Sequence, residues 1–528
     1  MAYNYVIVDS SLFKKPLSDK ALAFLNGKTV LLLPSFYHEV EAYSRILDGN
    51  RADVLRKNIA QLLKKAAHGT TTISTSKLFD LFSAAVSSAK QGISLCVMTS
   101  DILLIERFCM ENAQLDIYDL NTDLLKKVKP LSKVCFVDHR QMSSNEVPNV
   151  FNMRNTTLTD ENGKSVTLFG RLSEGNNQED FGLESAIYNI CGHPELVAKI
   201  YRYYPSDQKQ THLKKLQALS KEMNLPWCLL PLQLLYKDNK LIGFTMRKKK
   251  VKMLSDDTLY LGNEQIIEPT RLMVKKSQTL DFAITMMAQV KILNCYGISI
   301  CDYNPNNFSM YYPDMPIVMF DTDSFVLGNY YANVIDDKAF TRHYQSSDKL
   351  QLAQQADEQA LKFTFRLLSL GANPLIRTGY PYIFSNPQSP LLYRRDYFPH
   401  NVESYYKKVF TKQTVPSINL TLHKLTEAKR ELDKHPERDI TAKRMIESAC
   451  NTQAQSRTNN RPVKKVTVNN YTDRPADQPT VSFHYTPAPN VSKSNQSKSK
   501  VGKWLLRAAV IVSLCIGICC WLTNSGVI

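Results

Sequence analysis

Over the first 130 residues, short apolar runs alternate with stretches of helical periodicity. Residues 5–8, 30–33 and 95–98 are unbroken runs, short enough for strands and apolar enough to be buried on both faces. Between them, residues 35–47 and 76–90 repeat their apolar positions at helical spacing. This alternation predicts an α/β domain with parallel strands over residues 1–130. A stretch rich in Asn, Ser and Thr, 141–157, marks a boundary. From Thr167 the pattern turns to strands, at 168–172, 186–190, 196–201 and 241–246. After Ser277 helices dominate. Residues 280–293 place Ala283, Met286, Met287, Val290 and Leu293 on one face, and Gly297 supplies a stop. A second long helix is expected over 348–370, opened by Ser346-Ser347-Asp348 and closed by Gly371.

Strands followed by helices predict a two-lobed α+β domain over 160–400. A helical extension, 401–450, follows, in which 422–449 reads as a charged, exposed helix. Residues 451–503 are rich in Asn, Thr, Gln, Ser, Pro and Lys and poor in large aliphatics, so they cannot offset their ordering entropy and read as a disordered basic linker.

Residues 508–522 are apolar apart from Ser513 and the small Gly517, and Leu505 and Leu506 extend the run past Arg507. With Arg507 snorkelling, the run is long enough to span a bilayer, which predicts a transmembrane tail anchor over 505–524. A buried soluble helix is the alternative. Lys500, Lys503 and Arg507 precede the run and no charged side chain follows it, so the positive-inside bias places the N-terminal domains in the cytoplasm. The first ten residues carry neither the basic start nor the apolar core of a signal peptide.

A length of 528 residues suits two or three domains, and 43% hydrophobic residues supports packed structure. The net charge is +17, and between 451 and 507 ten basic residues against two acidic ones leave +8. Beside a membrane, that concentration fits anionic lipid headgroups better than nucleic acid. Eleven cysteines without metal-ligand spacing argue against a zinc site and a disulfide scaffold, and for a reducing setting.

The chemistry concentrates in Asp302-Tyr-Asn-Pro-Asn-Asn307 and Phe320-Asp321-Thr-Asp-Ser-Phe325. An acid, an amide five residues on and a second acid 19 residues from the first are what phosphoryl transfer requires. One carboxylate takes the proton of the attacking hydroxyl, while the amide and second carboxylate hold magnesium against nucleotide phosphates. Lys199, in Leu196-Val-Ala-Lys-Ile-Tyr201, is set by strand alternation on one face, available to phosphates; alone it would read as a solvated strand lysine. Gly182-Leu-Glu-Ser-Ala-Ile-Tyr188 has the character of a phosphate-covering turn with a single glycine.

Residues 167–375 resemble the protein-kinase superfamily, especially a divergent bacterial branch of helix-hairpin-helix-topped kinases. The resemblance is carried by the 182–188 turn, Ala198-Lys-Ile-Tyr201, Gly243-Phe-Thr-Met246, 297–308, 320–325 and Gly371-Ala-Asn-Pro-Leu375. It implies that Gly182, Lys199 and Met246 bind nucleotide, that Asp302 is the catalytic base, and that Asn307 and Asp321 coordinate Mg2+. It also implies that Asp357 braces the catalytic loop. The chain departs from the pattern in having Ile300-Cys301 where His-Arg is usual, and Asp323 where glycine follows the metal acid. Asp323 reads as structural, with a supplementary metal ligand as the alternative, and Glu222 is the nearest candidate partner for Lys199.

In the N-terminal domain Asp9 ends the first strand, Glu39 lies in the following helix, Asp80 precedes 81–90 and Asp101 follows the third strand. Residues beyond parallel strand ends converge on one crevice, where four carboxylates would bind a divalent metal. Asp80 could equally be a helix cap. The segments Val6-Ile-Val-Asp9-Ser-Ser, Leu33-Pro-Ser-Phe-Tyr-His-Glu39 and Val97-Met-Thr-Ser-Asp101 resemble the PIN domain, mostly ribonucleases, which implies Mg2+ or Mn2+ at these acids and RNA as a partner. His38 reads as an ordinary helix residue.

The expected function is a membrane-anchored, cytoplasm-facing serine/threonine protein kinase using ATP and Mg2+ on a protein substrate, at a bacterial inner membrane. The alternatives are a nucleotide-binding pseudokinase scaffold and a metal-dependent ribonuclease controlled by the kinase-like domain.

Overall fold

In the computed structural model the described residues are 3–75, 80–110, 115–127, 142–172, 185–251, 275–303, 307–309, 316–327, 356–358, 360, 361, 364 and 417–440. The chain divides into two units after Arg461, and every described residue belongs to the first. Gly182, most of the expected helix 348–370, the motif 371–375, the linker 451–503 and the anchor 505–524 lie outside the described residues. Among the described residues no helix is long and apolar enough to cross a membrane.

The first apolar run becomes β1 (Tyr5–Val8), at the centre of a sheet ordered β3-β2-β1-β4-β5-β6. Its partners are β2 (Thr29–Leu32), β3 (Thr72–Thr75), β4 (Leu95–Thr99), β5 (Asp116–Asp119) and β6 (Leu124–Lys127). All pairings are parallel except β5 with β6. Side-chain alternation divides the strands between two apolar layers. Ile7, Leu95, Val97 and Ile117 meet α4 (Leu81–Lys90) and α5 (Ile102–Met110) on one face. Val6, Val8, Val30, Leu32 and Met98 meet α2 (Phe36–Ile46) and α3 (Gly49–Ala67) on the other, and a short α1 (Asp19–Phe24) joins that layer through Ala21.

The second core of strands closes on itself. β8 (Thr157–Asp160), β9 (Ser165–Arg171), β10 (Ser185–Ile190), β11 (His193–Tyr201), β14 (Lys240–Arg247) and β13 (Gln233–Lys237) form an antiparallel barrel. Its interior holds Leu158, Leu168, Ala186, Tyr188, Ala198, Ile200 and Ile242. β8 falls at the edge of the polar stretch expected to be a boundary; its alternate residues Leu158 and Asp160 are buried, so a polar composition hid a half-buried strand. Beside the barrel, β7 (Met142–Glu146) pairs with β12 (Tyr203–Pro205). Gly243 is needed where β14 crosses β11, because a Cβ there would strike the Lys199 carbonyl.

Behind β12 comes α6 (Asp207–Met223), capped by the Ser206 hydroxyl accepting from the Lys209 N–H. It ends at Asn224 in the left-handed conformation, φ 42°. The predicted helix at 280–293 is longer, α7 (Lys276–Cys295), and is buried nearly all round, which is why its apolar pattern is broader than one stripe. Gly297 follows it with φ +76°, as the stop signal predicts. Past α7, β15 (Ile298–Ser299) pairs with β16 (Val326–Leu327).

One expectation needs correction. The helix read as exposed is α8 (Ile418–Lys434), and its Ile418, Leu422, Leu425 and Ala428 are buried against α7 and α2; the 3.6-residue spacing of these four builds an apolar stripe that the surrounding charges obscured. The α/β and helical segments also do not keep separate cores. Val8, Tyr43 and Met98 share one apolar cluster with Met287, Leu293 and Leu425, and Trp227 donates its indole N–H to the Ile46 carbonyl at 2.8 Å.

Candidate active site

β11 carries Lys199. Its neighbours Ala198 and Ile200 point into the barrel, so alternation turns Lys199 outward with Val197 and Tyr201, toward α6. The segment 316–320 lies below, held by a reciprocal pair of bonds between the buried Gln289 side chain and Ile317: Gln289 Nε2 donates to the Ile317 carbonyl at 2.8 Å and Ile317 N–H donates to Gln289 Oε1 at 3.1 Å. Residues 307–309 run antiparallel to it, with the Phe320 N–H bonded to the Asn307 carbonyl at 2.8 Å and the Ser309 N–H to Val318 at 2.9 Å. This pairing ties Asn307 to Phe320, the residue that precedes Asp321.

Asn307 Nδ2 donates to Asp302 Oδ2 at 2.7 Å. Asp321 accepts from the Lys199 ammonium. Its backbone is left-handed, φ 50° and ψ 39°, a costly conformation that aspartate tolerates better than most residues. The turn is fixed by Ser324, whose N–H and hydroxyl both donate to the Asp321 carbonyl, and by the Thr322 hydroxyl donating to Leu229 at 2.7 Å. The Asp302–Asn307 and Asp321–Lys199 pairs are therefore joined through the backbone bond from Phe320 to Asn307.

Lys199 also donates to Asp323 Oδ1 at 2.6 Å, so its partner carboxylates are Asp321 and Asp323. Glu222, the candidate named from sequence, is exposed near the end of α6. Burial by itself would lower the Lys199 ammonium, but Asp321 and Asp323 outweigh it and hold the pKa above the ordinary lysine value. Burial would raise Asp323, and Lys199 with Lys209 overcomes it to hold the carboxylate far below its usual range. On α7, Asn294 Nδ2 donates to Asp357 Oδ1 at 3.1 Å, and burial pushes Asp357 up to about 6. Met246 is buried among Val197, Phe244 and Val318.

The ligand set suits a hard cation that receives its remaining oxygens from phosphates: one carboxylate, Asp321, with 38% of its side chain exposed, beside one amide. Among the described residues no group of three or more His, Cys, Asp or Glu is arranged to hold a metal by itself. A two-residue magnesium site completed by a nucleotide is compatible with that finding.

The N-terminal acids are arranged differently from the expectation. Asp9, Glu39 and Asp101 meet where the chain leaves β1 and β4, the strands at which the sheet order reverses. All three are buried, and the ammonium of Lys291, from α7, sits among them, donating to Asp101 Oδ2 at 3.1 Å. Burial would lower Lys291, yet Asp101 and Asp9 raise it well above the ordinary value. Neighbouring side chains and backbone also donate to these acids. Thr99 donates to Asp9 at 2.9 Å, Ser10 and Asn419 donate to Glu39, and the Leu104 N–H caps onto Asp101 at 2.9 Å. Asp80 does not join them; it caps α4, accepting from the Ser83 N–H at 3.0 Å. The crevice expected to hold a divalent metal thus holds a side-chain cation. His38 stacks on His423 of α8, ring centroids 4.8 Å apart.

Sequence reasoning missed Lys291, Lys209, Tyr201 and Gln289. A lone lysine and a lone glutamine inside the mostly apolar run 286–293 were the available signal for two of them, since a buried polar group requires a partner.

No protein-family model matches the chain, and no curated protein matches it. Among solved structures, one described as "ROP18 kinase domain in complex with AMP-PNP and sucrose" is 12% identical, covering 58% of this chain and 89% of that chain at a TM-score of 0.37. At so slight a likeness, the functional reading stands on the geometry of the site.

Proposed function

We propose that this chain binds a nucleoside triphosphate with a divalent cation and transfers its terminal phosphoryl group, as a protein-kinase-like phosphotransferase. The observation that carries the reading is that the Asp302–Asn307 hydrogen bond and the Asp321–Lys199 contact are joined through the Phe320–Asn307 backbone bond, bringing β11 together with the segment 302–321. Asp302 would orient and accept the proton of the attacking hydroxyl. Asn307 and Asp321 would hold Mg2+, which supplies charge neutralisation at the phosphates when bound. Lys199 would exchange part of its contact with Asp321 for phosphate oxygens.

The acceptor we propose is a serine or threonine of a protein. The basic linker and apolar tail support attachment to an anionic membrane with the described residues on the cytoplasmic side. For the N-terminal domain, Lys291 within the acid crevice favours a structural ion lock over a metal-dependent ribonuclease.

The test is incubation of the full-length protein with MgATP and a generic protein acceptor, following phosphate incorporation, with Asp302→Asn as control. Incorporation by the parent and loss in the variant support transfer. Equal incorporation by both rejects the assigned base. Nucleotide-dependent thermal stabilisation without incorporation by either would instead favour a binding scaffold, a reading to which Ile300-Cys301 in place of His-Arg already points.

A further inference from the structure

In protein kinases the strand lysine is oriented by a glutamate from the neighbouring helix. Here α6 faces the same region with a cation. Lys209, 2% exposed, donates to the Asp323 carbonyl at 2.7 Å and to Asp323 Oδ2 at 3.1 Å. The other oxygen, Asp323 Oδ1, takes the Lys199 ammonium at 2.6 Å, and Tyr201 donates its hydroxyl to Oδ2 at 2.6 Å. Asp323 is thus a buried carboxylate shared by two lysines, one on the strand and one on the helix, and braced by a tyrosine.

We propose that Asp323 is the positioning residue for Lys199 and that Lys209 anchors it to α6, so that helix, strand and acid loop are coupled with the charges exchanged relative to a lysine–glutamate pair. This rests on the nucleotide reading above. The two acids that touch Lys199 are not equivalent. Asp321 has 38% of its side chain exposed and can turn to a cation, whereas Asp323 is 2% exposed and has every oxygen engaged. Asp323 would retain the ammonium while Asp321 exchanges its contact for the metal. Two lysines and two aspartates also leave the cluster without net charge, so the buried ions compensate one another.

Charge exchange tests the arrangement. Lys209→Glu alone confronts Asp323 with a like charge, and Asp323→Gly alone leaves two ammonium groups with Asp321 as their remaining carboxylate. The pair K209E/D323G gives Lys199 a carboxylate from the helix. In the full-length protein, MgATP affinity by isothermal titration and melting temperature without nucleotide are measured for each variant and for Asp323→Asn. Each single change should weaken MgATP binding by about tenfold or more, the loss of one well-placed ionic contact. The double variant should return to within about threefold of the parent and recover most of the melting temperature. A double variant no better than the worse single one, or Asp323→Asn binding MgATP as the parent does, overturns the positioning role. If the parent itself binds no MgATP, the nucleotide reading falls and this role with it; if the parent binds and the double variant fails, only the role of Asp323 is removed.

Discussion

The ammonium of Lys291, on α7, lies 3.1 Å from Asp101 Oδ2 in the α/β domain, 190 residues earlier in the chain. It is the cation at the centre of a buried group that includes Asp9 and Glu39. Replacing Lys291 with methionine keeps most of the volume and removes the charge, leaving buried carboxylates uncompensated, which costs about 3–5 kcal/mol. The vacated position would then suit a divalent cation bound by oxygen ligands. The expected outcome is a strongly lowered melting temperature for Lys291→Met, partly restored by millimolar Mn2+, with no Mn2+ response from this crevice in the parent. A variant as stable as the parent would show that the ion lock contributes nothing.

Asp302 and Asp321 should separate in kinetic experiments although they belong to one site. Asp321→Asn removes the exposed carboxylate of the metal pair and should weaken MgATP binding and transfer together. Asp302→Asn keeps the bond to Asn307 plausible in shape while removing the base, so transfer should drop by about 10²–10⁴-fold with nucleotide affinity nearly unchanged. Titration calorimetry beside single-turnover measurements gives both numbers. Identical losses of affinity in the two variants would contradict the division of roles.

The sequence showed the strands that bury both faces and the acids at their ends, because a four-residue apolar run and a following aspartate are local features. Lys199, Asp302, Asn307 and Asp321 stood out because their spacing matches a known chemistry. The cations that answer the acids did not. Lys291 meets Asp101 and Lys209 meets Asp323 across separations of 190 and 114 residues, and although Lys291 stands in an apolar pattern, nothing local names the acid that either lysine answers. The stripe of α8 was hidden for a similar reason: its four apolar positions acquire meaning only beside α7 and α2.

Gly243 gives a test of the barrel's contribution to the site. It pairs with Ile200 across β11 and β14, and a methyl group there would collide with the backbone carbonyl of Lys199 rather than with a movable side chain. Gly243→Ala should therefore force the strands apart at the lysine, at a cost of about 1–3 kcal/mol from overpacking. Because the displaced residue is Lys199 itself, MgATP affinity should fall as well. Denaturant unfolding and nucleotide titration on the same variant check both, and a stable variant with intact binding would show that the close approach is dispensable.

Acid sensitivity can be assigned to particular groups. Burial, reinforced by Lys209, lowers His212 to about 3 from its ordinary 6.5, and burial with Arg430 and His423 lowers His38 to about 4. Both are neutral in the folded protein, while the unfolded chain takes up protons below about pH 6.5. Their stabilisation is complete above that value and is lost as pH falls, toward 4 for His38 and toward 3 for His212, at about 1.4 kcal/mol per pH unit for each group. Asp357 acts in the opposite direction. Burial raises it to about 6 from 3.8, so the folded carboxyl keeps a proton that the unfolded chain has released, and its contribution declines as pH rises from 3.8 to about 6. Between pH 4 and 6 His38 and His212 oppose Asp357, so the three groups together make stability fall on acidification. Asp357→Asn should steepen that slope and His212→Gln should flatten it, as read from urea midpoints between pH 4 and 7. A slope unchanged by either substitution would show that other groups control the response.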